Sequence, residues 1–275
     1  MGSSGAAVNS SMRCARTGAV ALPAVVVVLL AVAGPFLAAH PATEPVDIPY
    51  ATPSAAALLG TDHLGQDVAG RVLLGGWGLL LLAAVIAVLV TALAAVIGAV
   101  AALRPAIGAL IERTTDALML APPVLAILLV MLSWPESGTI GLVAIAVVVG
   151  TPYAARVFAA AAARTAVSGY VEVAVASGER LPYLIFREVL PNLRETVATQ
   201  LGLRFVEATY LVSTAAFLQL PTSLGETNWA LMVRENSAGI MLNPAAVVAP
   251  AVAIGMLAVS VNATIGVFGR RMVTV

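Results

Sequence analysis

Six apolar runs of 18 to 25 residues divide the chain, at 19–39, 79–103, 117–134, 140–163, 197–218 and 244–268, and most charged positions fall between them. A helix gains about 1.5 Å per residue, so some 20 apolar residues cross the roughly 30 Å of hydrocarbon in a bilayer. The pattern predicts an all-α, polytopic membrane protein with six transmembrane helices. The clearest run is 79–103, LLLLAAVIAVLVTALAAVIGAVAAL, which carries no charge. Run 117–134 has Pro122 and Pro123 near its start, where a kink is predicted. Run 19–39 has the charged start and apolar middle of a signal peptide. It lacks a convincing small-x-small cleavage site, and apolar sequence continues past Gly34-Pro35-Phe36, so a retained span is the preferred reading.

The polar segments define the organisation. Residues 1–18 form a Ser, Gly and Ala rich tail, and 19–39 the first transmembrane helix. Residues 40–78 form an extracytoplasmic loop that ends in a short amphipathic helix, with Thr61-Asp62 as its predicted cap. Residues 79–275 form a five-helix core, with a polar turn at 104–116 and a long loop at 219–243. Within this core, the loop 168–195 holds the island YVEVAVASGERLPYLIFREVLPNL at 170–193, between the fourth and fifth runs. Each charge at the centre of a membrane helix costs about 2.5–3.5 kcal/mol, so the island sits at a membrane face. Gly178 permits a tight bend where a side chain would clash, and Pro182 suits the first turn of a second helix. The island therefore reads as two short helices. Tyr183, Leu184, Phe186 and Leu190 are predicted to share a face that docks into a partner's groove.

Composition narrows the class. The chain is 60% hydrophobic and 10% charged, with mean hydropathy +1.00, against about 25% charged residues in soluble domains. Formal net charge is zero and no nucleic acid partner is expected; the partner implied is the lipid bilayer. All 14 basic residues are Arg. Without lysine there is no P-loop and no Schiff-base chemistry, so if ATP drives this protein another chain hydrolyses it. Cys14 is the only cysteine, which excludes an internal disulfide or a thiolate metal cluster. His40 and His63 lack a ligand pattern, so no metal and no cofactor is expected in this chain. No cluster with catalytic spacing appears, and no inverted repeat of an ion-coupled carrier, which argues against a membrane enzyme and a secondary transporter.

The arginines set an orientation. With the N-terminus inside, inner segments hold ten of them (Arg13, Arg16, Arg104, Arg113, Arg164, Arg180, Arg187, Arg194, Arg270 and Arg271), and outer segments hold Arg71 and Arg234. Positive charge accumulates on the cytoplasmic side, so both termini and the island are expected in the cytoplasm of a multi-pass protein of the cell membrane.

Glu172-Val173-Ala174, Gly178 and Leu190-Pro191-Asn192 resemble the Glu-Ala-Ala loop of bacterial ABC-importer permeases, with Val173 in place of the middle alanine. Residues 59–76, LGTDHLGQDVAGRVLLGG, resemble the segment before the second span in the C-type permease of dipeptide, oligopeptide and nickel importers, with Gln66 and Gly70 as departures. Asp116, Leu118 and Pro122 resemble the start of that family's third span. The resemblance implies half of a translocation pathway, paired with a homologous second permease subunit. It also implies two ATP-binding cassette ATPase domains, which hydrolyse ATP with Mg, and an extracytoplasmic solute-binding protein. The chain itself would catalyse nothing. Glu172, Ala174, Gly178, Leu190 and Pro191 would couple it to the ATPases. The implied solutes are dipeptides or oligopeptides, with nickel, a metallophore or another small solute as the alternative.

Arg204 and Glu207 stand i,i+3 inside the fifth run. They are candidates for the translocation path, where charge could meet a peptide terminus. The competing reading is an intrahelical pair that lowers its own insertion cost, and both stay open here. Trp134, Trp229 and Trp77 lie at predicted boundaries, where indoles anchor at the interface.

Overall fold

A computed structural model describes residues 34, 44–120, 122–220 and 227–271; the tail 1–18 and, apart from Gly34, the run 19–39 lie outside the described residues. The run at 79–103 is part of helix α1, Val68–Leu103, 36 residues long. The short amphipathic helix and the second span, expected as separate elements, are thus one helix. No proline separates them, and Gly75-Gly76 alone costs only about 1 kcal/mol per glycine in a helix interior. Helix α1 is capped by Asp67, whose carboxylate accepts from the Ala69 and Gly70 N–H groups at 3.1 and 2.9 Å. This corrects the expected Thr61-Asp62 cap: those two residues are fully buried and serve elsewhere.

The expected turn at 104–116 is helical. Helix α2, Pro105–Met119, starts with proline at its first position and continues in strong helix formers. Helix α3, Pro123–Ser133, follows after the Pro122-Pro123 break, and the two helices meet at a bend of 80°. The single kinked span at 117–134 is therefore replaced by a sharply bent pair. Helix α4, Gly138–Ala166, contains Pro152. The island forms α5, Gly169–Ala176, and α6, Leu181–Tyr183, which continues into π-helical Leu184–Val189 and 3-10 helical Leu190–Leu193. Helix α7 is Arg194–Phe217. The predicted long loop contains α8, Trp229–Asn236, and α9 is Ala245–Arg271.

Among the described residues three helical stretches have the length and apolarity to cross a membrane, Val68–Leu103, Pro135–Ala166 and Ala245–Asn262, or four if the bent pair is one span. Helix α7 has the length, but Arg204 and Glu207 lower its apolarity. Leu81, Val85, Val88, Leu89 and Leu93 of α1 are exposed, as apolar residues are on helices bathed in lipid.

The chain forms two compact units. The first comprises Met1–Leu81, Val212–Gln219 and Ser223–Val267. In it, residues 44–67 are held by backbone bonds such as Val46 N–H to Gly65 O at 2.8 Å and Tyr50 N–H to Asp62 O at 2.9 Å. Trp229 is 2% exposed and its Nε1 donates to the Val72 carbonyl at 2.7 Å, so it is a core anchor and not the expected interface residue. That packing depends on Gly75, where any Cβ would overlap the Thr227 carbonyl. Trp134 and Trp77 are exposed.

The second unit comprises Leu82–Leu211, Leu220–Thr222 and Phe268–Val275. Helix α4 packs against α2 and α3 and buries Leu142, Ala154, Ala155 and Phe158. Arg156 of α4 pairs with Asp116 of α2. A cleft of about 380 Å³ lies beside this pair, lined mainly by small residues such as Ala101, Gly108 and Ala159.

Candidate functional site

The loop between α4 and α7 is built by its glycine. Helix α5 begins after Ser168, whose carbonyl accepts from the Val171 and Glu172 N–H groups at 3.0 and 3.1 Å. Glu172 stands in the first turn, where the helix dipole favours a carboxylate. At the other end Gly178 adopts φ +81°, its N–H donates to the Val175 carbonyl at 3.0 Å, and the Glu179 N–H donates to the Ala174 carbonyl at 3.1 Å. These are the two bonds of a Schellman motif, which requires a left-handed residue that glycine supplies without strain. The Ala174 to Gly178 spacing is thus the geometry of a helix stop.

The reason for the glycine differs from the one expected. No atom lies within 4 Å of a Cβ placed on Gly178, so a side chain there would meet open space. The requirement the structure shows is the positive φ.

Beyond the turn, Arg180 is extended and Pro182 occupies the first turn of α6. The expectation that Tyr183, Leu184, Phe186 and Leu190 share one face is corrected. The wider i→i+5 winding of Leu184–Val189 places Leu184, Ile185 and Val189 inward, with Leu193 following. Tyr183 and Phe186 remain exposed, and Leu190 is half-buried. Pro191 cannot donate a backbone bond, and Asn192 Nδ2 steadies this turn by donating to the Glu188 carbonyl at 2.7 Å. The segment packs on α4. Its outward surface carries Tyr170, Val173, Val175, Tyr183 and Phe186, with Phe186 57% exposed. Apolar side chains thus concentrate on the outward side of a polar loop. Glu172 and Pro191 are exposed with them, and Ala174 is half-buried beneath.

The second candidate lies inside α7. Arg204 and Glu207 form an ion pair through Glu207 Oε2, with the Arg204 side chain 9% exposed and that of Glu207 32%. The Arg204 guanidinium also lies 5.3 Å from the centre of the Tyr153 ring on α4, a cation–π distance. Tyr153 had no local signal in the sequence, because it sits 51 positions before Arg204 and joins it only through helix packing.

The segment resembling the LGTD motif organises a third cluster, in the first unit. Asp62 pairs with Arg71, both buried, and Arg71 Nη2 lies 3.5 Å from Glu235 Oε2. Asp62 Oδ1 also accepts from the Leu64 and Gln66 N–H groups at 2.8 and 2.9 Å. Asn243 Nδ2 donates to the Leu59 and Thr61 carbonyls at 3.0 and 2.9 Å, and the His63 N–H donates to Asn236 Oδ1 at 2.9 Å. The segment before α1 is thereby fastened to α8 and to Asn243, two residues ahead of α9. An acid nine residues ahead of an arginine across a helix start is visible in the sequence; Glu235, more than 160 residues away, is not.

Residues 94–274 match the family model described as the binding-protein-dependent transport system inner membrane component. A protein of Sinorhizobium fredii named a probable peptide ABC transporter permease is 29% identical over 85% of this chain and 80% of its own length. A Brucella suis protein named as a peptide transport system permease is 30% identical over 81% of this chain and 75% of its own. Long apolar helices joined by a capped polar loop, and a family match over residues 94–274, place the chain in the membrane as a multi-pass component. It belongs to the binding-protein-dependent transport system inner membrane component family.

Proposed function

We propose that this chain is one permease subunit of an ATP-driven importer of dipeptides or oligopeptides. The family match carries the reading, and the names of the relatives supply the solute class. The subunit crosses the membrane six times with both termini in the cytoplasm, as the arginine distribution favours. It pairs with a homologous second permease and receives its solute from an extracytoplasmic binding protein. Two ATPase subunits bind and hydrolyse ATP with Mg, since this chain has no lysine for a P-loop.

The loop 170–193 is the coupling element. Tyr170, Val173, Tyr183 and Phe186 enter a groove on the ATPase, and Gly178 keeps the turn low enough for close approach. Glu172, Ala174, Leu190 and Pro191 hold the shape of the two short helices. When the ATPases close on ATP they carry the docked loops together, and the spans to which the loops are joined, α4 and α7, tilt to open the pathway outward. Force passes well through this joint because the segment Leu184–Leu193 is anchored by buried Leu184, Ile185, Val189 and Leu193.

The test is the ATPase activity of the purified complex, assembled with its binding protein, against a panel of solutes. Di- to pentapeptides are expected to stimulate hydrolysis several-fold. Stimulation only by nickel or metal chelates would overturn the peptide assignment and leave the permease assignment standing.

A further inference from the structure

We propose that Glu207 is the acceptor for the positively charged amino group of the transported solute; this rests on the peptide reading above. The two charges of the α7 pair differ in what they offer. The Arg204 side chain is 9% exposed, and it is engaged on one side by Glu207 and on another by the Tyr153 ring. Its Nε is buried as well, so an incoming carboxylate meets little accessible guanidinium. Glu207 is three times as exposed and meets Arg204 through one oxygen, Oε2, whereas a carboxylate can accept about four hydrogen bonds. The charge within reach of a visitor is therefore negative, and the positive one stands behind it as a support.

The surroundings fit the same ligand. Leu203, Glu207 and Tyr210 follow one another at helical spacing on one face of α7, and Leu203 and Tyr210 are 43% and 59% exposed. Tyr153 is 45% exposed. Aromatic rings present negative faces that attract ammonium groups. A carboxylate within a membrane helix does not turn toward hydrocarbon, so this face looks into a water-filled path or onto another protein. An acid that shares a helix face with Tyr210 in such a path selects the amino end of a peptide.

The experiment uses the complete transporter in proteoliposomes with its binding protein, supplied with trialanine and N-acetyl-trialanine. Wild type is expected to carry trialanine about tenfold faster than the blocked peptide, the size of a charged hydrogen bond. Glu207→Gln is expected to bring the two rates within about twofold of each other by slowing trialanine, and Glu207→Asp to preserve most of the preference. A preference unchanged in Glu207→Gln overturns the proposal, including the case where neither protein carries the blocked peptide. Equal slowing of both peptides also overturns it and assigns Glu207 to packing. If an assembled, ATP-hydrolysing wild type moves neither peptide, the peptide reading itself fails.

Discussion

Replacing Arg71 with methionine is expected to destabilise the first unit by about 3–5 kcal/mol, the usual cost of leaving one partner of a buried ion pair alone. Asp62 has no exposed side-chain surface, so its carboxylate would lose its cation without gaining water. The loss reads out as a lower midpoint of thermal unfolding for the detergent-solubilised complex and less protein in the membrane. The double variant Asp62→Asn, Arg71→Met is expected to recover most of the loss. Asparagine keeps an oxygen for the Leu64 and Gln66 N–H groups, and no buried charge remains to be neutralised. A single variant as stable as wild type would show that the junction with Glu235 contributes little to holding residues 44–67 in place.

The second large effect concerns transport instead of folding. Gly178→Asp is expected to abolish uptake and to reduce copurification of the ATPases by about tenfold or more, while the chain still inserts and accumulates. A non-glycine residue at φ +81° costs roughly 1–2 kcal/mol, and aspartate tolerates this conformation better than most residues. A Cβ placed there meets open space, so the steric conflict expected is with a docked partner. Gly178→Asn serves as the companion variant, because it has the same backbone tolerance and size without the charge. If both side chains block docking, sterics decide; if only aspartate does, the groove's charge decides. Normal uptake together with normal copurification in Gly178→Asp would remove the loop from the coupling role.

What could be read in the sequence followed from local chemistry. The apolar runs at 79–103, 140–163 and 244–268 identified α1, α4 and α9, because uninterrupted hydrophobicity over 20 or more residues leaves few alternatives to a membrane helix. Gly178 and Pro182 pointed to a bend between two short helices, and the island divides there, because glycine reaches φ +81° without strain. Long-range packing was not legible. The meeting of Tyr153 with Arg204, and of Glu235 with Arg71, depends on how helices assemble. The inward turn of Leu184 depends on a π-helical stretch that 3.6-residue periodicity does not anticipate. Residues 104–116 were misread as a turn because their charges, Glu112, Arg113 and Asp116, look like a loop in composition; they lie on an amphipathic helix whose Asp116 pairs with Arg156.

In the proposed cycle, ATP spent by other subunits drives this permease through the loop 170–193. The most direct measurement is uptake of radiolabelled trialanine into proteoliposomes that hold the whole complex, with ATP and Mg on the ATPase side and no ion gradient. Accumulation that needs ATP, stops with a non-hydrolysable analogue and vanishes in Gly178→Asp is the predicted result. Uptake that proceeds without ATP on a proton or sodium gradient would contradict the account.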